Sequence, residues 1–204
     1  HYLPTRRSSD LIVAAGRLWR VITVEHRENV SYWHMAHSYV RGNWRNSQLE
    51  SPMILAKCCH DLDILYWILG PSRTLSSIGS LLHYRAENAP SGAPERCTDG
   101  CPAEKSCPWY APRLYLDLIP LLRMTRESPA LWERWASRLI LDHPVAARWA
   151  EKLVPGFAAA RDYRGWPVSV LSEDTSREAR IQALKSGPYG RCVFRCDNDV
   201  VDHQ

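Results

Sequence analysis

Residues 51–70 read SPMILAKCCHDLDILYWILG. Ser51 ahead of Pro52 is an N-cap followed by proline at the first helical position, and Gly70-Pro71 is a stop. The stretch is therefore predicted to be one helix from Pro52 to Leu69. On such a helix Lys57, His60, Asp61, Ile64 and Trp67 share one broad face at three- and four-residue spacings. A His titrating near neutrality beside a cation and a carboxylate suits proton transfer at a hydroxyl or carbonyl. The same pattern also describes an ordinary helix surface, so the motif by itself leaves both readings open.

Working outward, Arg20 to Val30 alternates apolar and polar residues and is rich in β-branched side chains, which predicts a strand. Thr74 to Tyr84 and the start of Arg191 to Arg195 carry the same expectation. Ser31 to Gln48 mixes aromatics with His, Arg, Asn and Gly without a period and reads as a loop presenting polar side chains. Arg85 to Trp109 is a long connection. Tyr110 to Ala160 is helical in pieces, broken by Pro112, Pro120, Pro129, Pro144 and Pro155. Ser176 to Lys185 is a short helix ending at Gly187-Pro188. Strands separated by helices without repeated βαβ spacing suggest an α+β fold, a mainly antiparallel open sheet covered by helices on one face.

The chain has 204 residues, 45% of them apolar and 24% charged, which excludes a disordered tail or a low-complexity polymer. A net charge of +4, evenly spread, argues for neither a nucleic-acid nor a membrane partner. The longest apolar runs, such as Ile64 to Leu69, fall far short of the roughly eighteen residues of a membrane span. Seven cysteines, an odd number with Cys58 and Cys59 adjacent, argue against a disulfide framework and for a reducing cytoplasm. Residues 1–11 (HYLPTRRSSDL) resemble a translated sequencing-library adapter and are set apart from the fold as a non-native leader. The remaining residues, 12–204, are expected to form one domain of a longer protein, with the loop and helical segment at about 85–187 inserted in it.

His60-Asp61-Leu62-Asp63, then Trp67 and Gly70, resembles the second-domain helix of the Gfo/Idh/MocA family (glucose–fructose oxidoreductase, inositol dehydrogenase). Further blocks resemble one branch of it: Val24-Glu25-His26, His37 to Trp44, and Cys196 to Gln204. The resemblance implies the substrate and oligomerisation domain of an NAD(P)-dependent oxidoreductase acting on a sugar, polyol or sugar derivative, a homo-oligomer in its intact form. It assigns catalysis to His60, and Lys57 is taken as its assistant. His37, Arg41, Asn43 and Asp61 are candidates to grip substrate hydroxyls. Ala56 stands where the family's usual Asp precedes the His, which puts the Asp–His proton relay in doubt. A dinucleotide site needs a Gly-rich turn at a helix N-terminus, and no G-x-G-x-x-G occurs. The Rossmann domain is therefore expected to be missing, and the chain alone inactive.

Cys97, Cys101 and Cys107 lie in a turn-rich stretch, with Cys192 and Cys196 much later. Thiolates gathered in turns suit a tetrahedral zinc site; unliganded thiols or a disulfide are the alternatives, while Cys58 and Cys59 read as small core residues. A reading from a different class is a non-enzymatic, metal-stabilised binding or scaffold module, favoured by Trp132, Trp135 and Trp149 at helical spacing.

Overall fold

The computed structural model describes residues 11–153 and 163–203. Its elements are helical. Tyr32–His34 (α1) runs directly into a wide π-helical turn, Met35–Arg41, and a 3₁₀ turn at Asn43–Arg45. Met53–Ala56 (α2) and Cys59–Leu69 (α3) follow, then Ala111–Tyr115 (α4), Ile119–Thr125 (α5), Leu131–Asp142 (α6), Pro144–Leu153 (α7) and Arg177–Ser186 (α8).

The expected antiparallel sheet is not there. Among the described residues no strand forms, and the β pairing consists of two isolated antiparallel bridges, Ser80 with His203 and Arg96 with Arg191. The fold is helical, not α+β. Alternation along a segment says which side chains share a face, but a strand exists only when a neighbour supplies the other half of its ladder. Arg20 to Val30 has no such neighbour, and Ile22 and Val24 stand 79% and 52% exposed. Near Thr74 to Tyr84, a side chain takes the place of a ladder. The Asp202 carboxylate accepts the backbone N–H groups of Leu82, His83 and Tyr84 at 2.9, 2.7 and 3.2 Å.

The helix expected from Pro52 to Leu69 is two helices. Lys57 leaves helical geometry (φ −125°), and the break lies between α2 and α3. The stop at Gly70 holds: its φ of +80° is left-handed backbone, which glycine adopts without a Cβ penalty. Ser31 to Gln48, expected as an open loop, is instead helical through Arg41 and buried from Met35 to Gly42. The pieces from Tyr110 onward form as expected, with Pro112 and Pro120 in the first turns of α4 and α5. Ser176 caps α8, its hydroxyl accepting the Ala179 N–H at 3.3 Å. Residues 1–10 of the proposed leader, and Pro155, lie outside the described residues.

Three apolar clusters hold the fold. The first packs the π turn (Met35, Ala36, Tyr39, Val40) against Tyr84, Cys192, Val193 and Phe194. The second joins Trp33 to Ala111, Leu114, Tyr115 and Leu184. Leu122, Ala136, Ile140 and Ala147 form the third, beneath α5 to α7. Segments distant in sequence meet closely here: a Cβ on Gly190 would lie 1.7 Å from the Leu184 carbonyl oxygen, so the end of α8 accepts only glycine beside it. By contrast, α3 buries no residue completely, and its Tyr66 and Trp67 are 62% and 52% exposed.

Candidate functional site

A cavity of about 690 Å³ opens beside α3. Its lining includes His26, Glu28 and Asn29 from the irregular segment before α1, Asp61 and Leu65 from α3, and His83, Asp202 and His203 from the bridged segments. The volume lies in the range of a small-molecule site, with acidic and imidazole groups converging over an apolar floor of Val30, Met35 and Tyr84.

Two charged contacts brace the rim. His26 Nε2 lies 2.6 Å from Asp61 Oδ1. Lys57 Nζ donates to Glu28 Oε1 at 2.6 Å, a bond that holds the ammonium's pKa above its usual value. Both contacts tie the segment before α1 to the α2–α3 unit, and the break at Lys57 is the point from which that side chain reaches Glu28. Asp202 has no freedom of this kind. Burial pushes its pKa up, but the three backbone N–H groups of residues 82–84 outweigh burial and hold it below the usual carboxylate value. It is a clamp at the cavity wall.

The residues expected to act together are separated. Asp61 lines the cavity; His60 beside it is exposed and does not. Lys57 is engaged with Glu28. His37 and Arg41, expected to grip substrate from a loop, are 2% and 1% exposed and belong to the interior. His37 Nδ1 lies 2.7 Å from Tyr115 Oη, and its ring stacks on Tyr189 at 4.9 Å. Burial, then the nearby His34 and Arg41, pushes the His37 pKa down to about 3, so the ring is neutral at pH 7. Asn43 is exposed outside the cavity. Polar side chains without apolar periodicity read as a loop in sequence; here they are satisfied core groups, because tertiary partners such as Tyr115, far along the chain, complete their hydrogen bonds. His26, Glu28 and His83, which do line the cavity, went unassigned. Only the Val24-Glu25-His26 block pointed towards one of them.

The cysteines are all free thiols. Cys58 is half-buried and Cys59 exposed, so neither is the core residue expected. Cys97, Cys101, Cys107 and Cys192 line one small enclosed cavity together with Arg41. Cys196 lies outside that lining, its thiol donating to the Cys192 carbonyl at 3.3 Å. Among the described residues, no three His, Cys, Asp or Glu side chains stand arranged as metal ligands. Nor is any described helix long and apolar enough to cross a membrane. No family model, curated protein or solved structure matches the chain.

Proposed function

We propose that this chain is the substrate-binding part of an NAD(P)-dependent oxidoreductase of the Gfo/Idh/MocA type, acting on a sugar, polyol or sugar derivative in a reducing cytoplasm. The observation that carries the reading is the polar cavity beside α3, where Asp61 meets His26 at 2.6 Å at the position that the sequence resemblance marks as the substrate helix. Paired carboxylate and imidazole groups over an apolar floor suit a polyhydroxylated ligand, whose hydroxyls both donate and accept.

In this reading Asp61, oriented by His26, accepts substrate hydroxyls. His60, adjacent on α3 but outside the cavity lining, exchanges the proton of a reacting hydroxyl that projects out of the cavity, and Lys57 holds the Glu28 wall. The chain supplies no Gly-rich turn at a helix N-terminus, so its residues do not form a pyrophosphate cradle. In this reading the nicotinamide belongs to a separate dinucleotide-binding unit.

The test is steady-state kinetics on the protein joined to that unit, with cofactor saturating. His60→Ala should lower kcat by about 10²- to 10⁴-fold, the usual size of lost acid–base assistance. Asp61→Asn should act mainly on KM. A His60→Ala enzyme within a few-fold of wild type, with the loss moved to His26→Ala, would transfer the proton role to the His26–Asp61 pair. If neither variant affects turnover of any polyol, the reading fails.

One observation favours the binding-module reading. Trp132 and Trp149, on α6 and α7, are 61% and 66% exposed, with Leu131 next to Trp132 at 73% and Leu153 four residues after Trp149 at 80%. Exposed large apolar side chains on two successive helices suit an interaction surface. Under that reading Trp132→Glu with Trp149→Glu abolishes association in sedimentation velocity and leaves polyol binding intact.

A further inference from the structure

Arg41 is a buried cation whose hydrogen-bond partners carry no formal charge. Its guanidinium donates to the carbonyls of Arg191 and Trp109 at 2.7 and 2.8 Å and to Cys97 Sγ at 3.5 Å. It is 1% exposed, and among the described residues no carboxylate pairs with it. A charge removed from water in this way needs a compensating anion nearby. The cavity it borders, about 10 Å³, is walled by Cys97, Cys101, Cys107 and Cys192.

The backbone is built around these four sulfurs. Cys97 N–H donates to the Gly190 carbonyl and Cys192 N–H to that of Glu95, at 2.9 and 2.8 Å. This doubled bridge sets two cysteines distant in sequence, Cys97 and Cys192, side by side. Tight turns at 101–107 bring in the other two, with Cys107 N–H on the Ala103 carbonyl at 2.8 Å. A donor points at one of the sulfurs as well, the Arg41 guanidinium at Cys97 Sγ.

We propose that Cys97, Cys101, Cys107 and Cys192 form a structural tetrathiolate zinc site, with Arg41 as its buried counter-charge. Four thiols release four protons on binding, and the resulting centre carries a charge of −2, which the guanidinium partly offsets. A void on the scale of one atom fits a single ion with bonds of about 2.3 Å; it has no space for a multi-iron cluster. Cys196, Cys58 and Cys59 take no part. Among the described residues no three ligands stand at coordination geometry, so binding draws the four side chains onto the cavity and tightens the 97–109 connection.

The experiment is metal analysis and cobalt substitution on the full chain. Expected are one zinc per chain and, on replacing it with Co²⁺, the intense visible absorption of tetrahedral thiolate coordination. Hydrogen exchange across 97–109 should slow at least tenfold on adding zinc. Cys97→Ser and Cys192→Ser should lose that spectrum, while Cys196→Ser keeps it. Should the Cys97 and Cys192 variants fail to fold, the wild-type Co²⁺ titration still decides. Only the weak spectrum of octahedral cobalt, a zinc content below a tenth of an equivalent after growth in zinc, iron in place of zinc, or a disulfide among the four would each overturn the site.

Discussion

His37 and Arg41 mark how burial changes what a polar residue does. His37 is held neutral in the interior by burial, with Tyr115 beside it, and its pKa falls to about 3 from an ordinary 6.5. The unfolded chain therefore binds the extra proton first, and stability drops as pH falls from about 6.5 towards 3. One pKa unit corresponds to about 1.4 kcal/mol, so this one group should cost about 3 kcal/mol between pH 7 and pH 4. Urea unfolding at a series of pH values checks it. His37→Gln, which keeps a hydrogen bond to Tyr115 but cannot titrate, should show a shallower loss by that amount. Equal slopes in the two proteins would dismiss the claim.

At the scale of elements, carboxylates replace strands. The Asp202 side chain ties residues 82–84, and Asp199 accepts the Ser47 N–H at 2.8 Å and its hydroxyl at 2.6 Å. Asp197 lies between Arg45 and Arg191. Burial works against its ionisation, but the two guanidinium groups prevail and hold its pKa to about 2. Asp202 draws the final segment of the chain to residues 82–84, while Asp197 and Asp199 both draw it to the turn at 45–47. Asp202→Ala strands three N–H groups, and since hydrogen bonds to a charged group contribute about 1.5–3 kcal/mol, a loss of about 2–4 kcal/mol is expected after partial rescue by water. Chemical denaturation gives the number. A change below about 0.5 kcal/mol would mean that the loop at 82–84 holds itself.

Across the whole molecule, the apolar surface left open is the leading feature. Trp19, Ile78 and Leu75 are 92%, 88% and 74% exposed, together with Tyr66 and Trp67 on α3. Monomeric soluble proteins rarely leave large contiguous apolar areas open, and where such areas exist they bind hydrophobic dyes. The native chain at pH 7 should enhance the fluorescence of a hydrophobic dye while its near-ultraviolet circular dichroism remains that of a packed core. Trp67→Gln should reduce the enhancement by a measurable fraction with little effect on unfolding. No dye response from the folded chain would show these surfaces closed in solution, by self-association or rearrangement.

Local signals set what local chemistry controls. Ser176 as a cap, Gly70 as a stop, and prolines opening α4 and α5 were legible because each acts within one turn of its own backbone. Asp61 of α3 lines the cavity, while the family resemblance that drew attention to this helix rests on the sequence alone. The absence of strands was not legible at Arg20 to Val30 or Thr74 to Tyr84, since alternation is a property of one segment and pairing a property of two. Nor could spacing tell that His37 and Arg41 are buried, that Lys57 breaks its helix on the way to Glu28, or that His26 meets Asp61. Those outcomes depend on partners up to 150 residues away along the chain, as Arg41 and Arg191 are, and only chain folding brings such groups within hydrogen-bond reach.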